Sequence, residues 1–377
     1  MGPSEISSGP AQKLKQEVLD TGLCTSCGAC TGYCPYIKTF GERVAVIHDC
    51  KLADGVCYRV CPRVFTRYDD LRQAVFGSAA GNDPVLGTHS AIYFARASDK
   101  SIRARGQYGG VVTALAGFAF TRGFTDCTLL TGGGPSGPKP VLATDESGIQ
   151  ACAGSKYTAV PTLTLFHQAV KENYSKIGVV CRACQATAAR KLQREQAAGG
   201  ERLALVIGLF CFWSLEPEFY SYLRDKQLDG ITRMDIPVGS AVLSSEERQV
   251  TVPLDEIRPF IREACQTFCF DPLSELADVS VGSTEHDPGW NTLIVRSSTG
   301  KRLVKAAVAG GAVELKPYPA GLLPALTSAV LQKKRRVLTG PGAARVGVPE
   351  EEKRFLTGQS QPVPGENPPD VEGGVSQ

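Results

Sequence analysis

Apolar and polar residues follow two different periodicities from residue 90 onward. Short apolar runs typical of buried strands, such as "SAIYFARA", "DCTLLTG", "KIGVVC" and "RLALVIGLFC", recur along the chain. They alternate with longer segments of helical character, such as "GGVVTALAGFAFTRGF", "TLFHQAVKENY" and "QATAARKLQREQAAG". This alternation predicts an α/β (mixed α+β) core with a largely buried sheet, which we assign to residues 88–340.

The two ends of the chain differ from this core in composition and apolar pattern. Residues 1–20 predict a flexible lead-in that ends in a short helix, "AQKLKQEVLD". Residues 21–75 contain seven cysteines and few long apolar segments, which predicts a small domain organised by its cysteines, followed by the linker "SAAGNDPVLGTH". Residues 341–377 are rich in Pro, Gly, Glu and Gln and predict a disordered tail.

Charge and hydropathy exclude two broad classes of protein. The formal net charge of +3 over 377 residues is too small for a basic surface that would bind nucleic acid. The sequence contains no run of about 18 apolar residues, and its polar N-terminus lacks the apolar segment of a secretory signal. We therefore expect a cytoplasmic protein without a membrane span, in a reducing compartment where its 14 cysteines bind metal rather than form disulfides.

The first cysteine run, "GLCTSCGACTGYCPY", has the spacing of a bacterial ferredoxin. The pattern C-x2-C-x2-C-x3-C-P is formed by Cys24, Cys27, Cys30 and Cys34. Three thiolates in one tight loop bind three corners of a [4Fe-4S] cluster, while the cysteine before the proline ligates the other cluster of a two-cluster domain. A zinc site is the alternative, but zinc ligands usually come as two separated pairs.

A second, shorter cysteine run follows in "DCKLADGVCYRVCPR". By the same crossing rule, Cys61 completes the cluster of the first three cysteines. Cys34, Cys50 and Cys57 then remain for a second cluster that lacks one thiolate. This cluster is either a [3Fe-4S] cluster or takes a fourth ligand from a neighbour, for which the candidates are His48, Asp49 and Asp54. The alternative is a degenerate half that binds no metal.

Two loops of the core have the residues that a flavin would need. Iron–sulfur clusters carry single electrons, and the cofactor that usually joins them to two-electron chemistry is a flavin. Gly109 and Gly110 precede an apolar helix, whose N-terminus favours a phosphate. Residues 154–157, in "AGSKYTAVP", offer a hydroxyl, a cation and an aromatic ring. Each feature by itself also occurs in ordinary helix caps and turns.

Seven further cysteines lie in the core, several of them at the ends of predicted strands. Buried free cysteine is common, so each of them alone indicates packing. Together, four of them could converge as a third cluster site beside the flavin: Cys184, Cys211, Cys265 and Cys269.

Seven segments carry a family resemblance. In chain order they are "RGQYGGVVTAL", "AGSKY", "CQA", "GLFC", "VPLDEIRPFIREAC", "ELADVSVGS" and "GWNTLIVRSSTG". Over residues 90–305 the chain resembles the coenzyme F420 hydrogenase/dehydrogenase beta-subunit family, many members of which also have a ferredoxin-like N-terminal segment. The resemblance implies a flavin-binding α/β core with FAD, a core [4Fe-4S] cluster and a small N-terminal ferredoxin-like iron–sulfur domain.

The resemblance also implies site residues. The family's first flavin-contacting stretch matches Gln107, Gly109, Gly110 and Thr113. Its second flavin loop matches Gly154, Ser155, Lys156 and Tyr157. Its core cysteines match Cys184, Cys211 and Cys269, the last of which stands two residues before Asp271. The sequence departs from the family at Ala183, where a proline is usual, with an extra Cys181 nearby. A second departure is the C-x3-C spacing of Cys265 and Cys269, where C-x2-C is usual.

The function implied by the resemblance is that of an iron–sulfur flavoprotein oxidoreductase. It would couple hydride exchange at FAD, with coenzyme F420 or a similar partner, to one-electron transfer through [4Fe-4S] clusters, in a complex with other redox subunits or with ferredoxin. One alternative is a ferredoxin-dependent reductase of an organic substrate such as a chlorophyll precursor, of the 8-vinyl or 7-hydroxymethyl type. Another is an electron-relay subunit without catalysis of its own. Hydride transfer to a flavin needs no side-chain acid or base, so no catalytic residue is assigned.

Overall fold

A computed structural model describes residues 9–77, 83–133, 137–228, 230–237, 239–284 and 286–359. The helices are α1 Pro10–Leu14, α2 Val56–Arg59, α3 Tyr68–Phe76, α4 Lys100–Arg105, α5 Val111–Thr121, α6 Glu146–Ala151, α7 Thr164–Lys171, α8 Ala183–Gln193, α9 Glu218–Asp225, α10 Leu254–Ile257, α11 Glu263–Thr267, α12 Ser298–Ala309, α13 Leu323–Leu338 and α14 Glu350–Thr357. The strands are β1 Ile37–Phe40, β2 Arg43–Val46, β3 Thr66–Arg67, β4 Ala91–Ala97, β5 Cys127–Gly132, β6 Lys139–Ala143, β7 Ile177–Arg182, β8 Leu203–Leu209, β9 Arg233–Asp235, β10 Ser240–Ser244, β11 Gln249–Pro253, β12 Val279–Ser283, β13 Asn291–Val295, β14 Val313–Pro317 and β15 Val346–Gly347.

An eight-stranded mixed sheet forms the centre of the molecule, in the order β14-β4-β13-β12-β8-β7-β5-β6. The four central strands, β12, β8, β7 and β5, run parallel, and antiparallel strands extend the sheet on both sides. The prediction of a mixed α/β core is confirmed. The predicted strands β4, β5, β7 and β8 all lie in this sheet, because their apolar runs are buried on both faces.

Helices cover both faces of the central sheet. Along β8, Leu205 and Ile207 contact the apolar cluster that includes α5 and α12, whereas Val206 contacts the cluster that includes α7 and α8. This alternation is the two-residue period of a strand. In the described ranges no helix is both long enough and apolar enough to span a membrane.

The N-terminal module consists of α1, a π-helical turn at Lys15–Leu19, the β1–β2 hairpin and α2. The short helix predicted at its start is confirmed, while residues 1–8 of the expected lead-in lie outside the described ranges. Its apolar cluster is small and includes the cysteines themselves, together with residues such as Leu14, Val18 and Ile37. Cysteines therefore form a large part of the interior of this module.

The prediction of a disordered tail from residue 341 is wrong for residues 341–359. Val346 pairs with Thr66 in a short parallel ladder, and α14 buries Leu356. The composition was misleading because Pro349 directly precedes α14 and three glutamates fill its first turn, where the helix dipole favours negative charge. Residues 360–377 lie outside the described ranges.

The predicted linker is also shorter than expected. Its second half packs against the core, where Val85 and Leu86 are buried. Asp83 fixes this turn by accepting hydrogen bonds from the amides of both residues, at 2.8 and 2.9 Å. Residues 78–82 lie outside the described ranges.

Candidate functional site

Four cysteines of the N-terminal module lie together, which we call the first set: Cys24, Cys27, Cys30 and Cys61. Burial is the main cause of a raised pKa at Cys24, Cys27 and Cys30, and a thiolate at Cys61 raises the pKa of each further. Cys61 comes to this loop because α2 ends at Arg59, just before it. The structure thus brings together the four cysteines that the crossing rule predicts for one cluster.

The loop of the first set is held against the central domain by a close backbone approach at Gly28. Its φ of +86° is in the left-handed region, and a Cβ here would lie 2.6 Å from the carbonyl oxygen of Pro161. Next to it, the amide of Leu163 donates a hydrogen bond of 3.0 Å to the carbonyl of Cys27. A side chain at residue 28 would therefore push the cysteine loop away from the domain.

Cys34, Cys50 and Cys57 form the second set. Burial raises the pKa of Cys57 to about 11, and thiolates at Cys34 and Cys50 raise it further. A thiolate at Cys57 also raises the pKa of Cys30, so the first and second sets are neighbours. Cys34 and Cys50 are partly exposed, so two of the three thiols of this set are partly exposed, compared with one of four in each of the other two sets (Cys24 and Cys211).

Each of the three candidate fourth ligands for the second set contacts another group. His48 lies against the ring of Tyr36, with ring centroids 4.9 Å apart. Asp49 accepts a hydrogen bond of 3.0 Å from Gln12. Asp54 pairs with Arg59 and accepts a hydrogen bond from the amide of Gly55. The fold therefore favours none of them as a ligand.

Four cysteines of the central domain form the core set: Cys184, Cys211, Cys265 and Cys269. Burial, opposed by Arg182, raises the pKa of Cys211 to about 12, and thiolates at Cys265 and Cys184 add to the increase. Burial would also raise the pKa of Cys269, but Lys333 and Arg63 outweigh it and lower this pKa. The four sulfurs therefore lie close together, although the sequence departs from the family in the C-x3-C spacing and at Ala183.

The core set lies next to the first set. A thiolate at Cys184 raises the pKa of Cys27, after the larger effects of burial and Cys61. Of the remaining core cysteines, Cys127 lies in the apolar cluster beneath α7 and α8, whereas the pKa of Cys181 is raised by burial and then by a thiolate at Cys184, which places Cys181 beside the core set. The three sets therefore form a series, from the second set through the first set to the core set.

The described cysteines do not converge on a site for a single metal ion. All 14 are free thiols. In the part of the chain that the structure describes, no three His, Cys, Asp or Glu side chains converge closely enough to hold one metal ion. In an iron–sulfur cluster each thiolate binds a different iron, so the sulfurs surround a volume instead of a point. The zinc alternative has no support in this geometry.

The two predicted flavin loops meet at one place. The Nε2 of Gln107 donates a hydrogen bond of 3.1 Å to the hydroxyl of Tyr157 and another to Asp235, a residue that the sequence pattern did not single out. Burial raises the pKa of Tyr157, as expected for a phenol in an enclosed site. The buried Oε1 of Gln107 accepts no hydrogen bond from any described residue. It is an acceptor without a donor.

The remaining predicted flavin residues lie around the contact between Gln107 and Tyr157. Gly110 is the N-cap of α5, and Thr113 is half-buried in its first turn. Gly154 has a φ of +89° and, like Ser155, is exposed. Lys156 folds back, since its Nζ donates to the carbonyls of residues 152, 153 and 154 at 2.7 to 3.0 Å. Lys156 therefore shapes the loop instead of reaching outward.

A short path of contacts joins the core set to the Tyr157 loop. The thiol of Cys211 donates to the carbonyl of Trp213 over 3.5 Å, and the hydroxyl of Ser214 donates to the carbonyl of Tyr157 at 3.0 Å. The rings of Tyr157 and Trp213 have centroids 6.5 Å apart. Sequence reasoning missed Trp213 and Ser214, although they stand only two and three residues after the last residue of the "GLFC" motif.

A cavity of about 260 Å³ lies beside this loop. Its walls are residues 158–161, Leu215 and Tyr220 of the central domain, Lys139 of β6, and Gly41 and Glu42 from the β1–β2 turn. Ligand pockets usually measure about 300–1,000 Å³, so this cavity is slightly smaller than that range. His286 is on an exposed turn.

Two family profiles match the chain, and both describe the beta subunit of coenzyme F420 hydrogenase/dehydrogenase. The profile of its N-terminal part matches residues 92–167. The profile of its C-terminal part matches residues 174–320. Together they cover the central domain and leave the N-terminal module outside the matched ranges.

Individual relatives agree with the profiles. The chain is 31% identical over 243 residues to the coenzyme F420 hydrogenase subunit beta of Methanothermobacter thermautotrophicus, covering 62% of this chain and 86% of that protein. It is 28% identical to an F(420)H(2) dehydrogenase subunit of Methanosarcina mazei, over 76% of this chain and 82% of that protein. A chain of the xenon-derivatised F420-reducing [NiFe] hydrogenase complex from Methanosarcina barkeri superimposes with a TM-score of 0.64 and 30% identity, covering 69% of this chain and 94% of that chain. The protein therefore belongs to the coenzyme F420 hydrogenase/dehydrogenase beta-subunit family.

Proposed function

We propose that this chain is an iron–sulfur flavoprotein oxidoreductase subunit that exchanges a hydride with coenzyme F420 at FAD. Its cysteine sets would pass the electrons one at a time to a redox partner. The observation that carries the proposal is the contact series from Gln107 and Tyr157 through Ser214 to the core set and on to the N-terminal module. The relatives named for F420 hydrogenase, F420H2 dehydrogenase and F420-dependent sulfite reductase support coenzyme F420 as the partner.

The residues between the two flavin loops fit a flavin. The unpaired Oε1 of Gln107 would accept a ring N–H, a group that an isoalloxazine has and that no described residue offers there. Tyr157 and Trp213 provide aromatic surface, and the exposed Gly154 leaves the loop open to a phosphate. When bound, FAD holds one or two electrons and so connects hydride transfer with single-electron transfer. The chain's own residues bind and orient the ring.

The cysteine sets fit three clusters, of which the second has only three thiolates. Thiols with raised pKa values are protonated when free and would release their protons to solvent when they bind metal. Two cations beside the core set, the partly buried Arg182 and the buried Lys333, would balance the negative charge of a thiolate-ligated cluster. Because the second set is partly exposed, it would exchange electrons with another redox subunit or with a ferredoxin.

The test is an anaerobic titration of the purified protein loaded with FAD, iron and sulfide. Reduced coenzyme F420, NADH, NADPH and reduced ferredoxin are added in separate experiments while the absorbance of flavin and clusters is recorded. We expect reduced coenzyme F420 to bleach first the flavin and then the clusters. Reduction by ferredoxin alone would contradict the proposal and would favour a reductase of an organic substrate.

A further inference from the structure

Arg63 lies between the first set and the core set. It follows the Cys61–Pro62 dipeptide and is 4% exposed. Its Nη1 donates a hydrogen bond of 2.7 Å to the carbonyl of Phe268, the residue before Cys269. Its Nε and Nη2 are buried and have no nitrogen or oxygen partner among the described residues. Burying these N–H groups with only the sulfur of Cys269 as a partner is costly unless another acceptor is present.

Arg182 reaches the same boundary from the end of β7. Its Nη1 donates to the hydroxyl of Ser214 at 3.1 Å, and its Nη2 donates to the carbonyl of Thr25 at 3.4 Å. Thr25 directly follows Cys24, and Ser214 holds the Tyr157 loop. This arginine therefore contacts the loop of the first set and a loop of the central domain.

The charged groups nearest to both guanidinium groups are cysteines. Burial lowers the pKa of Arg63, but thiolates at Cys269 and Cys184 outweigh it, so the pKa is raised overall. Arg182 behaves in the same way, with contributions from thiolates of the core set and from Cys27 of the first set. Among the residues that the structure describes, neither guanidinium pairs with a carboxylate, and both lie near cysteines of the two sets.

We propose that Arg63 and Arg182 form a positively charged bridge that raises the reduction potentials of the clusters held by the first set and the core set. This inference rests on the proposed function, because it needs clusters at both sets. Clusters held by the two sets would exchange one electron, so that one would be oxidised and the other reduced by one electron, with no bond broken and no proton moved. The arginines act as positioning residues for this step.

The physical reason is electrostatic. A reduced cluster carries one more negative charge than the oxidised form, so a buried cation nearby stabilises the reduced form more. Hydrogen bonds from Arg63 N–H groups to cluster sulfides would act in the same direction, since such bonds are known to tune cluster potentials. With both effects, electrons would reside on the central pair of clusters before they leave through the second set.

The test is a redox titration of the fully loaded protein, followed by electron paramagnetic resonance. In Arg63→Gln and Arg182→Gln we expect the one-electron reduction of the first-set and core-set clusters to become at least about tenfold less favourable. This corresponds to a reduction potential that is ~59 mV lower. The second-set cluster should be unchanged. Arg63→Lys keeps the charge and should remain within about threefold of the original protein.

Arg345→Gln is the matched control. Arg345 also reaches this region, donating to the carbonyl of Arg63 at 3.2 Å, but its charge pairs with Glu17. Its loss should leave all potentials unchanged.

Cluster signals with unchanged potentials in both glutamine variants overturn the charged bridge. If Arg63→Gln does not retain iron, the test rests on the cluster potentials of Arg182→Gln. Unchanged potentials in that variant also overturn the charged bridge. An original protein that loads no clusters would instead overturn the proposed function. The two failures are therefore distinguishable.

Discussion

Cys57 and Cys127 are both buried free thiols with different neighbours. Cys57 lies with Cys34 and Cys50, whereas Cys127 is fully buried among apolar side chains such as Leu129 and Phe166. We predict that Cys57→Ser lowers the iron content by the share of one cluster. Cys127→Ala should retain all iron and cost about 1 kcal/mol through lost packing. Iron and acid-labile sulfide analysis of both variants checks this, and equal iron in the two would contradict the assignment of the second set.

Gln107 is the residue that joins the two flavin loops. Gln107→Leu keeps the size but removes the amide that contacts Tyr157 and Asp235. We expect FAD to bind about tenfold more weakly, a loss of ~1.4 kcal/mol, because one hydrogen bond to the ring and one loop contact disappear. Fluorescence titration of the apoprotein with FAD measures this.

Gln150→Leu serves as the control, since Gln150 bonds only to Arg105 and Glu146 on the surface of α6. Its FAD affinity should match that of the original protein. If both variants bind FAD equally well, Gln107 has no part in the flavin site.

At the element scale, α14 is tied to the interior by a buried ion pair. The Nη1 of Arg72 lies 2.7 Å from the Oε2 of Glu352, and its Nη2 lies 3.0 Å from Glu275, which also pairs with Lys334. We predict that Glu352→Ala lowers the free energy of unfolding by about 3 kcal/mol, because it leaves a buried charge with one partner fewer. Urea unfolding measures the change. The neighbouring exposed Glu351→Ala should stay within about 0.5 kcal/mol, and similar losses in both would contradict this role of α14.

Elements with a clear periodicity of apolar residues were predictable from the sequence. Elements stabilised by residues far away in the chain were not. The strands β4, β5, β7 and β8 have long apolar runs, and α5 has a helical length and a glycine start. α14 was missed because its stability comes from Arg72, 280 residues away in the chain. The first and second sets were expected from cysteine spacing, and the core set from the ends of predicted strands and the family resemblance. Arg63, Arg182 and Asp235 have no local signal, since only the fold brings them to the site.

At the scale of the whole molecule, the N-terminal module and the central sheet differ in what stabilises them. The module has a small apolar cluster that includes its cysteines, while the sheet is buried between two large apolar clusters. We predict that removing iron with a chelator unfolds residues 21–61 locally and leaves the sheet intact, because metal binding supplies folding free energy where the core is small. Hydrogen exchange should increase in the module and stay slow in β7 and β8. Equal protection with and without iron would show that the module folds without its clusters.

The most direct test of the account is the order in which the centres are reduced. The oxidised, fully loaded protein is mixed with reduced coenzyme F420 in an anaerobic stopped-flow instrument, and the flavin and cluster absorbances are recorded. The account predicts that the flavin bleaches first and that the clusters follow in a slower phase, since electrons enter at the Gln107–Tyr157 site and leave through the cysteine sets. Cluster reduction that precedes flavin reduction, or no reduction by coenzyme F420 at all, would contradict it.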